Sequence, residues 1–254
     1  MSVKRPNNPY DQNLSDRYSS KYRFDHPHQF MAYSTWMEEI GDIRGEKVLD
    51  LACGSGTGTR MLSERGADVV GVDISESMLA LAKKEETDRP MEIQYILADA
   101  SVPKLYTDKA FDIVTSAFML HYADSREMLD GFLKNISINL KPVGKFVAIN
   151  MSPDHPIVLP GENISHSSKW LDEPFKDSSR IEVKLWTKKN EEICTLTDYH
   201  WSKKTFEECF AKAGFENIKW VEVRMHEEGK KIAKWKELEK NNMLVVIYAT
   251  KKSK

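Results

Sequence analysis

Three acids and a run of glycines carry most of the chemistry legible in the first half of this chain. "DLACGSGTG", Asp50 to Gly58, follows the apolar pair Val48-Leu49 and precedes "TRMLSERG"; Asp73 ends "VVGVD" and Asp99 lies in "LADA". Glycines between a strand and a helix let a ligand come close to the backbone at the amides that open the helix. The spacing then selects among ligands. A triphosphate loop needs Gly, four residues and Gly-Lys-Ser/Thr, whereas Gly54, Gly56 and Gly58 run into Thr59-Arg60 with no such lysine. A dinucleotide fingerprint is G-x-G-x-x-G, and here the third glycine comes one place early. Asp50 also sets a carboxylate where a pyrophosphate would carry its negative charge, and like charges repel. Asp73 is placed to accept both hydroxyls of a ribose, and Asp99 suits an exocyclic amino group. Acids sharing one rim fit a ligand that offers hydroxyls, an amine and a cation, and no phosphate.

The elements that position these residues alternate. From Lys47 to Asn150 the runs "KVLDLA", "DVVGVD", "IQYILAD", "FDIVTSAFML" and "KFVAIN" read as strands, with helical segments between them. Such alternation predicts parallel strands covered on both faces. Ser75 is placed to cap "ESMLALAKK", and Met128, Leu129, Phe132, Leu133 and Ile136 recur at helical spacing. "KPVG" reads as a type I turn with Gly144 last, because Val143 disfavours positive φ. "HQFMAYSTWMEEIG" predicts a short helix ending at Gly41 or Gly45. "MSPDHPIVLPGENISHSS" reads as loop, "RIEVKLWTKKNEEICTLTDYHW" as two strands around "KKNEE", and "KKTFEECFAKAGF" as a helix before two final strands. The expected organisation is one domain over 1–254. It comprises an N-terminal helical cap at 1–45, a ligand-binding half at 46–150, an insert at 151–200 and a closing helix and hairpin at 201–254.

With 254 residues and 41% hydrophobic content the chain has the apolar surface for a sizeable core. A formal charge of -2 supplies no global basic field for a phosphate backbone, so nucleic acid is an unfavoured partner. Three cysteines, Cys53, Cys194 and Cys209, match neither a zinc pattern nor a disulfide framework and suit reduced thiols. The opening "MSVKRPNNPYDQN" lacks a signal-peptide core, and the run "MLVVIYA" is too short to cross a bilayer. A cytoplasmic protein without membrane attachment is expected; oligomeric state is not readable.

In "VLDLACGSG", "GVDIS", "LADA", "FDIVTSAFMLHY" and "LKPVGKF" the chain resembles the class I S-adenosylmethionine-dependent methyltransferases over roughly 46–150. "AGF", "W" and "NNMLVVIYATKK" are similar to that family's last helix and hairpin, and "YHWSKKTFEECFAKAGFENIKW" resembles, more loosely, the toxoflavin-type members. The resemblance implies an α/β, Rossmann-like sheet of seven mostly parallel strands in the order 3-2-1-4-5-7-6, the last antiparallel, with helices on both faces. It implies S-adenosyl-L-methionine as cofactor and S-adenosyl-L-homocysteine as product. Carried over by position, Gly54 and Gly56 lie against the methionine part, Asp73 takes the ribose, and Asp99 with Ala100 the adenine. Ala117 and Phe118 line the sulfonium, Tyr18 closes over the cofactor, and Asp50, Ala52, Ile74, Met78 and Tyr122 complete the cofactor site. Val143 departs from the glycine common at its place.

The expected acceptor is a small, ring-containing molecule methylated at O, N or S by in-line displacement. His121, just past the fourth strand, is the candidate for taking a proton from an attacking hydroxyl or amine, and Tyr22 is a weaker one. Tyr22, Phe24, Trp170, Trp186 and Tyr199 are expected as aromatic walls of a lid; His166, Tyr199 and His200 are lesser catalytic candidates. The pair His26 and His28 lacks a third metal ligand, so no metal is expected. Cys53 reads as a passive turn residue. Methylation of protein or nucleic acid, a non-catalytic binding module on the same fold, and aminopropyl transfer remain as alternatives.

Overall fold

The computed structural model describes residues 29–154, 166–186, 192–231 and 243–253. Its main sheet comprises β1 (Lys47–Leu51), β2 (Asp68–Asp73), β3 (Gln94–Leu97), β4 (Phe111–Ala117), β5 (Leu140–Met151), β9 (Phe215–Glu222) and β10 (Leu244–Lys251). A second sheet holds β6 (His166–Trp170), β7 (Arg180–Trp186) and β8 (Glu192–Tyr199). The helices are α1 (Ser34–Ile40), α2 (Thr57–Ser63), α3 (Glu76–Asp88), α4 (Arg126–Asn139), α5 (Lys203–Lys212) and the single turn α6 (Glu227–Lys230).

The main sheet runs β3-β2-β1-β4-β5-β10-β9. Numbered within that sheet alone, this is the expected order 3-2-1-4-5-7-6, and the last strand, β10, is antiparallel to both neighbours. Residues of both faces of β1 and β4 are buried: Leu49, Leu51 and Val114 pack with α4 and α5, while Val48 and Ile113 pack with α1. That two-sided burial is why these strands read as near-continuous apolar runs. Ser75 caps α3 as expected, accepting from the Met78 amide at 3.2 Å. Arg60 on α2 pairs with Glu86 on α3 at 2.8 Å, so the helices flanking β2 are tied beneath the surface. Trp36 of α1 is wholly buried and donates its indole N–H to the Val147 carbonyl, 3.1 Å away. The described part of the N-terminal region is thus a layer of the core.

The insert folds as an antiparallel sheet. "HSS", the end of the stretch read as loop, opens β6, whose polar residues hide a strand that only its pairing with β7 reveals. This sheet packs Ile181, Val183, Leu185 and Leu196 around Met243 and Met151, at the ends of β10 and β5. Past β8, Trp201 is buried and donates its indole N–H to the Ala123 carbonyl at 2.9 Å. The Asp177 carboxylate meanwhile receives the Ser202 amide at 2.6 Å. The second sheet is therefore pinned against the segment that follows β4. Among the described residues no helix is long and apolar enough to cross a membrane.

One turn corrects the expectation. Val143 has φ 57°, in the left-handed region that "KPVG" was expected to avoid. The reason lies at Gly144, where a Cβ would stand 2.9 Å from the Lys141 carbonyl oxygen and 3.0 Å from that of Asp112. The glycine meets this close approach, and the left-handed residue falls on a β-branched side chain that is 69% exposed. Val143→Gly is expected to stabilise the protein. Relief of about 1–2 kcal/mol of left-handed strain exceeds the roughly 0.5–1 kcal/mol entropic loss on introducing glycine. Thermal unfolding should show a midpoint higher by about 1–4 °C; an unchanged or lower midpoint refutes the strain.

Candidate functional site

β1 pairs in parallel with β2 on one side and β4 on the other. Chain order therefore reverses between β1 and β4, which opens a crevice at their carboxyl ends. The residues leaving those two strands are both held in the left-handed region: Ala52 at φ 58° and Phe118 at φ 65°. Strain in non-glycine residues costs on the order of 1–3 kcal/mol each and gathers where ligands bind. Ala52, Ala117 and Phe118 are half-buried and border this crevice, with Tyr122 a few residues on. A depression of about 550 Å³ between Gly41–Arg44 and Glu64–Gly66 lies at the opposite, amino-terminal edge of β1 and β2 and holds none of these residues.

The glycine turn is closed by Asp73. One carboxylate oxygen accepts the Gly54 amide at 2.7 Å and the other the Ser75 amide at 2.8 Å. Two carboxylate oxygens offer about four acceptor positions, so some acceptor capacity remains beyond the backbone amides. Gly56 has φ 82°, and a Cβ there would lie 2.5 Å from the Tyr95 hydroxyl, so the turn tolerates no side chain at this point. Met78 lies under the turn, with its methyl 3.2 Å from where a Gly54 Cβ would stand; Ile74, next to Asp73, is half-buried.

Asp50 does not face the rim openly. It is 2% exposed and accepts the Thr59 hydroxyl at 2.7 Å. Burial pushes its carboxyl up to about 7, the Thr59 hydrogen bond opposes this, and the neighbouring Asp73 adds to it. An acid partly neutral near pH 7 repels phosphate less than the spacing argument assumed. Burial raises Asp73 as well, against three backbone N–H bonds. Burial and these two acids keep Cys53 a thiol, in accord with a passive role.

Asp99 accepts the amide and hydroxyl of Ser101, each at 2.8 Å. The loop from Ala100 to Tyr106 is fastened to α4. Asn135 donates to the Ala100 carbonyl at 2.8 Å and the Tyr106 hydroxyl at 2.9 Å, and accepts the Lys104 amide at 3.0 Å. Gly131 lets the helix approach; a Cβ there would lie 2.3 Å from the Ser101 carbonyl oxygen.

His121 lies in the short 3-10 turn Leu120–Tyr122, is 4% exposed, and sets Nδ1 3.0 Å from Asn150 Oδ1. Its Nε2 is 3.9 Å from Asp198 Oδ2, on β8 of the insert. Asp198 was missed by the sequence reading. The signal was an acid in register with buried Leu196 on the inward face of "TLTDY". Tyr199, expected as a lid wall and a lesser candidate, is the next residue and so belongs to the other face of that strand. His200 joins Trp170 and Phe175 in an aromatic cluster, with Trp170 and Phe175 stacked at 4.7 Å. Tyr18, Tyr22, Phe24, His26, His28 and the side chains of His166 and Trp186 lie outside the described residues. Among the described residues no group of three metal-binding side chains gathers.

A family model described as "Methyltransferase domain" matches residues 49–148. A demethylmenaquinone methyltransferase of Lactococcus lactis is 30% identical over 211 residues, 75% of this chain and 75% of that protein. A ubiquinone biosynthesis O-methyltransferase of Pseudomonas fluorescens is 32% identical over 123 residues, 46% of this chain and 50% of that one. The chain spans about half the length of several curated relatives it matches. A putative S-adenosylmethionine-dependent methyltransferase of Listeria monocytogenes, solved by crystallography, superposes with a TM-score of 0.64 and 26% identity over 87% of this chain and 96% of that one.

Two outcomes are expected from this geometry. An acid whose folded pKa lies near 7 against about 3.8 unfolded resists ionisation in the fold. Its contribution to stability is complete below about pH 4 and is lost as pH rises through 7. A cationic ligand beside it reverses that resistance, so binding S-adenosylmethionine at pH 7 should release up to about half a proton. Titration calorimetry in phosphate and in Tris reads this as different apparent enthalpies, a difference that Asp50→Asn removes; equal enthalpies for the wild type would count against it. Asn135→Ala removes the hydrogen-bond partner of the buried Ala100 carbonyl, Tyr106 hydroxyl and Asn139 amide, and of the Lys104 amide, and is expected to destabilise the protein by about 2–4 kcal/mol. It should also weaken cofactor binding through the Asp99 loop; unchanged denaturant and binding midpoints would show the loop to be held otherwise.

Proposed function

The chain belongs to the class I S-adenosylmethionine-dependent methyltransferases, and on that premise we propose that it methylates a small, ring-bearing acceptor of the phenol or quinol class. The observation that carries the cofactor assignment is the Asp73 clamp, a carboxylate at the end of β2 that accepts the Gly54 amide of the glycine turn and the Ser75 amide. The cradle suits the group: Gly54 and Gly56 present bare backbone, and the strained Ala52 and Phe118 flank the gap between β1 and β4. In this reading Asp73 receives the ribose hydroxyls, while Asp99 and Ala100 face the adenine. The Gly54–Gly56 backbone lies along the methionine part, and Ala117 and Phe118 line the sulfonium. When bound, S-adenosylmethionine supplies a methyl group on a positively charged sulfur.

The chain's own task is to align the acceptor, exclude water and hold whatever proton the acceptor loses. Orientation and water exclusion fall to the elements packed at this edge, including the second sheet and the turn at His121. The ring class rests on relatives named for demethylmenaquinone methylation and for O-methylation in ubiquinone biosynthesis. The near-balanced net charge of the chain suits a small neutral acceptor better than a polyanion.

Titration calorimetry with S-adenosylmethionine and S-adenosylhomocysteine tests the cofactor half. Wild-type protein should bind both, and Asp73→Asn should bind roughly 10–100-fold more weakly, since charge-assisted hydrogen bonds contribute about 1.5–3 kcal/mol. Thermal unfolding of the variant checks that the turn persists. No binding by the wild type, or undiminished binding by the variant, would overturn the assignment. Incubation with methyl-labelled cofactor, catechol and a naphthalenediol, followed by mass spectrometry, should show the label on the ring compound; label only on amine or thiol acceptors would redirect the substrate class.

A further inference from the structure

The insert delivers a buried acid against the turn that follows β4, and among the described residues its bonding is incomplete. Asp198 is 4% exposed, with Oδ2 facing His121 Nε2 and Oδ1 without a hydrogen-bond partner among the described residues. A buried carboxyl with an idle oxygen is unfavourable in a fold that could place an apolar residue there, and it marks a position kept for a ligand or a proton. The imidazole beside it is oriented from its far side. Asn150 uses its amide nitrogen to donate to the Met151 carbonyl at 3.1 Å, so its oxygen is the end turned to His121 Nδ1, and Nδ1 must carry the proton. Nε2 is then the nitrogen that faces the carboxylate. With Nδ1 donating to Asn150 and Nε2 turned to the Asp198 carboxylate 3.9 Å away, both nitrogens of His121 face protein oxygens and neither is left facing an incoming hydroxyl.

We propose that Asp198, through Oδ1, is the base that takes the acceptor's proton, and that His121, oriented by Asn150, is the positioning residue that keeps Asp198 ionised. The inference rests on the methyl-transfer reading above. In the step it describes, the acceptor X–H bond breaks with its proton passing to Oδ1. The X–C bond forms as the methyl–sulfur bond breaks, and that electron pair stays on sulfur. The electrostatics are consistent in direction: burial raises the Asp198 carboxyl and the His121 charge opposes it. Among the described residues His121 is the one charged group acting on Asp198, and the Tyr122 ring packs on the imidazole with centroids 4.7 Å apart.

Three variants and one spectrum decide it. With a naphthalenediol or catechol as acceptor, Asp198→Asn should keep S-adenosylmethionine affinity and the unfolding midpoint. It should lower kcat by about 100-fold or more with little change in KM and abolish the acidic limb of the kcat profile. Asp198→Glu should recover part of the rate. His121→Gln should lose less, and its acidic limb should move to higher pH, because removing the cation makes Asp198 harder to ionise. Nitrogen NMR of the wild type should show Nδ1 proton-bearing, and Nε2 should lose its proton in Asp198→Asn, whose amide donates to it. Wild-type turnover in Asp198→Asn, loss of turnover in His121→Gln alone, or a bare Nδ1 would each overturn the assignment. If neither probe is methylated, the substrate class fails, and the nitrogen spectra still decide the His121–Asp198 pairing without turnover.

Discussion

The structure turns on one carboxylate. Asp73 joins two chain segments that leave neighbouring strands: with one oxygen it holds the glycine turn after β1, and with the other it holds the backbone that opens α3. The clamp adds to two backbone bonds, Cys53 N–H to the Val72 carbonyl and Gly56 N–H to the Cys53 carbonyl at 3.0 Å each, in a turn whose left-handed glycines carry a large conformational entropy. A substitution at Asp73 therefore acts on the shape of the loop as well as on any ligand contact. The same economy explains Arg60 and Ser75, which hold the helices on either side of the clamp.

The price of gathering acids in such a place is electrostatic. Burial raises Asp50, Asp73 and Asp198 alike, and each is moderated by a different partner: a hydroxyl for Asp50, backbone amides for Asp73, an imidazole for Asp198. A cation entering the crevice lowers the free energy of the ionised forms near it, so ligand binding and proton release are one coupled event. Stability of the empty protein and readiness for a positively charged ligand thus pull in opposite directions at Asp50.

Much of the main sheet was legible because its signals are local. Apolar runs buried on two faces, Ser75 as a cap and glycine punctuation each lie within a few residues, and they led to the right strand order through the family resemblance. Val143 was not legible: a β-branched residue in the left-handed region breaks the local preference, and its cause, the contact of Gly144 with the Asp112 carbonyl, comes from a distant strand. β6 was missed for a related reason, since "HSSKW" has no apolar alternation and is a strand through its ladder with β7. At the site, Asp50 was expected at an open rim and turns inward to Thr59. His121 was identified by its place after β4, but its partner Asp198 is 77 residues away and only the packing of the second sheet brings the two together.

That second sheet leaves the main fold after Ser152, whose amide bonds the Met243 carbonyl, and rejoins it at Trp201 beneath Ala123. Both junctions lie at one edge of the main sheet, so the strands between them form a cassette that could be exchanged without disturbing the cofactor cradle. Asp198 sits inside that cassette and His121 outside it. A graft that gave this scaffold different walls for its acceptor would therefore replace the acid as well, while the imidazole stayed behind. Specificity and proton chemistry would be inherited together, and a donor segment lacking an acid in that register would yield a protein that binds its cofactor and leaves its new guest unmethylated.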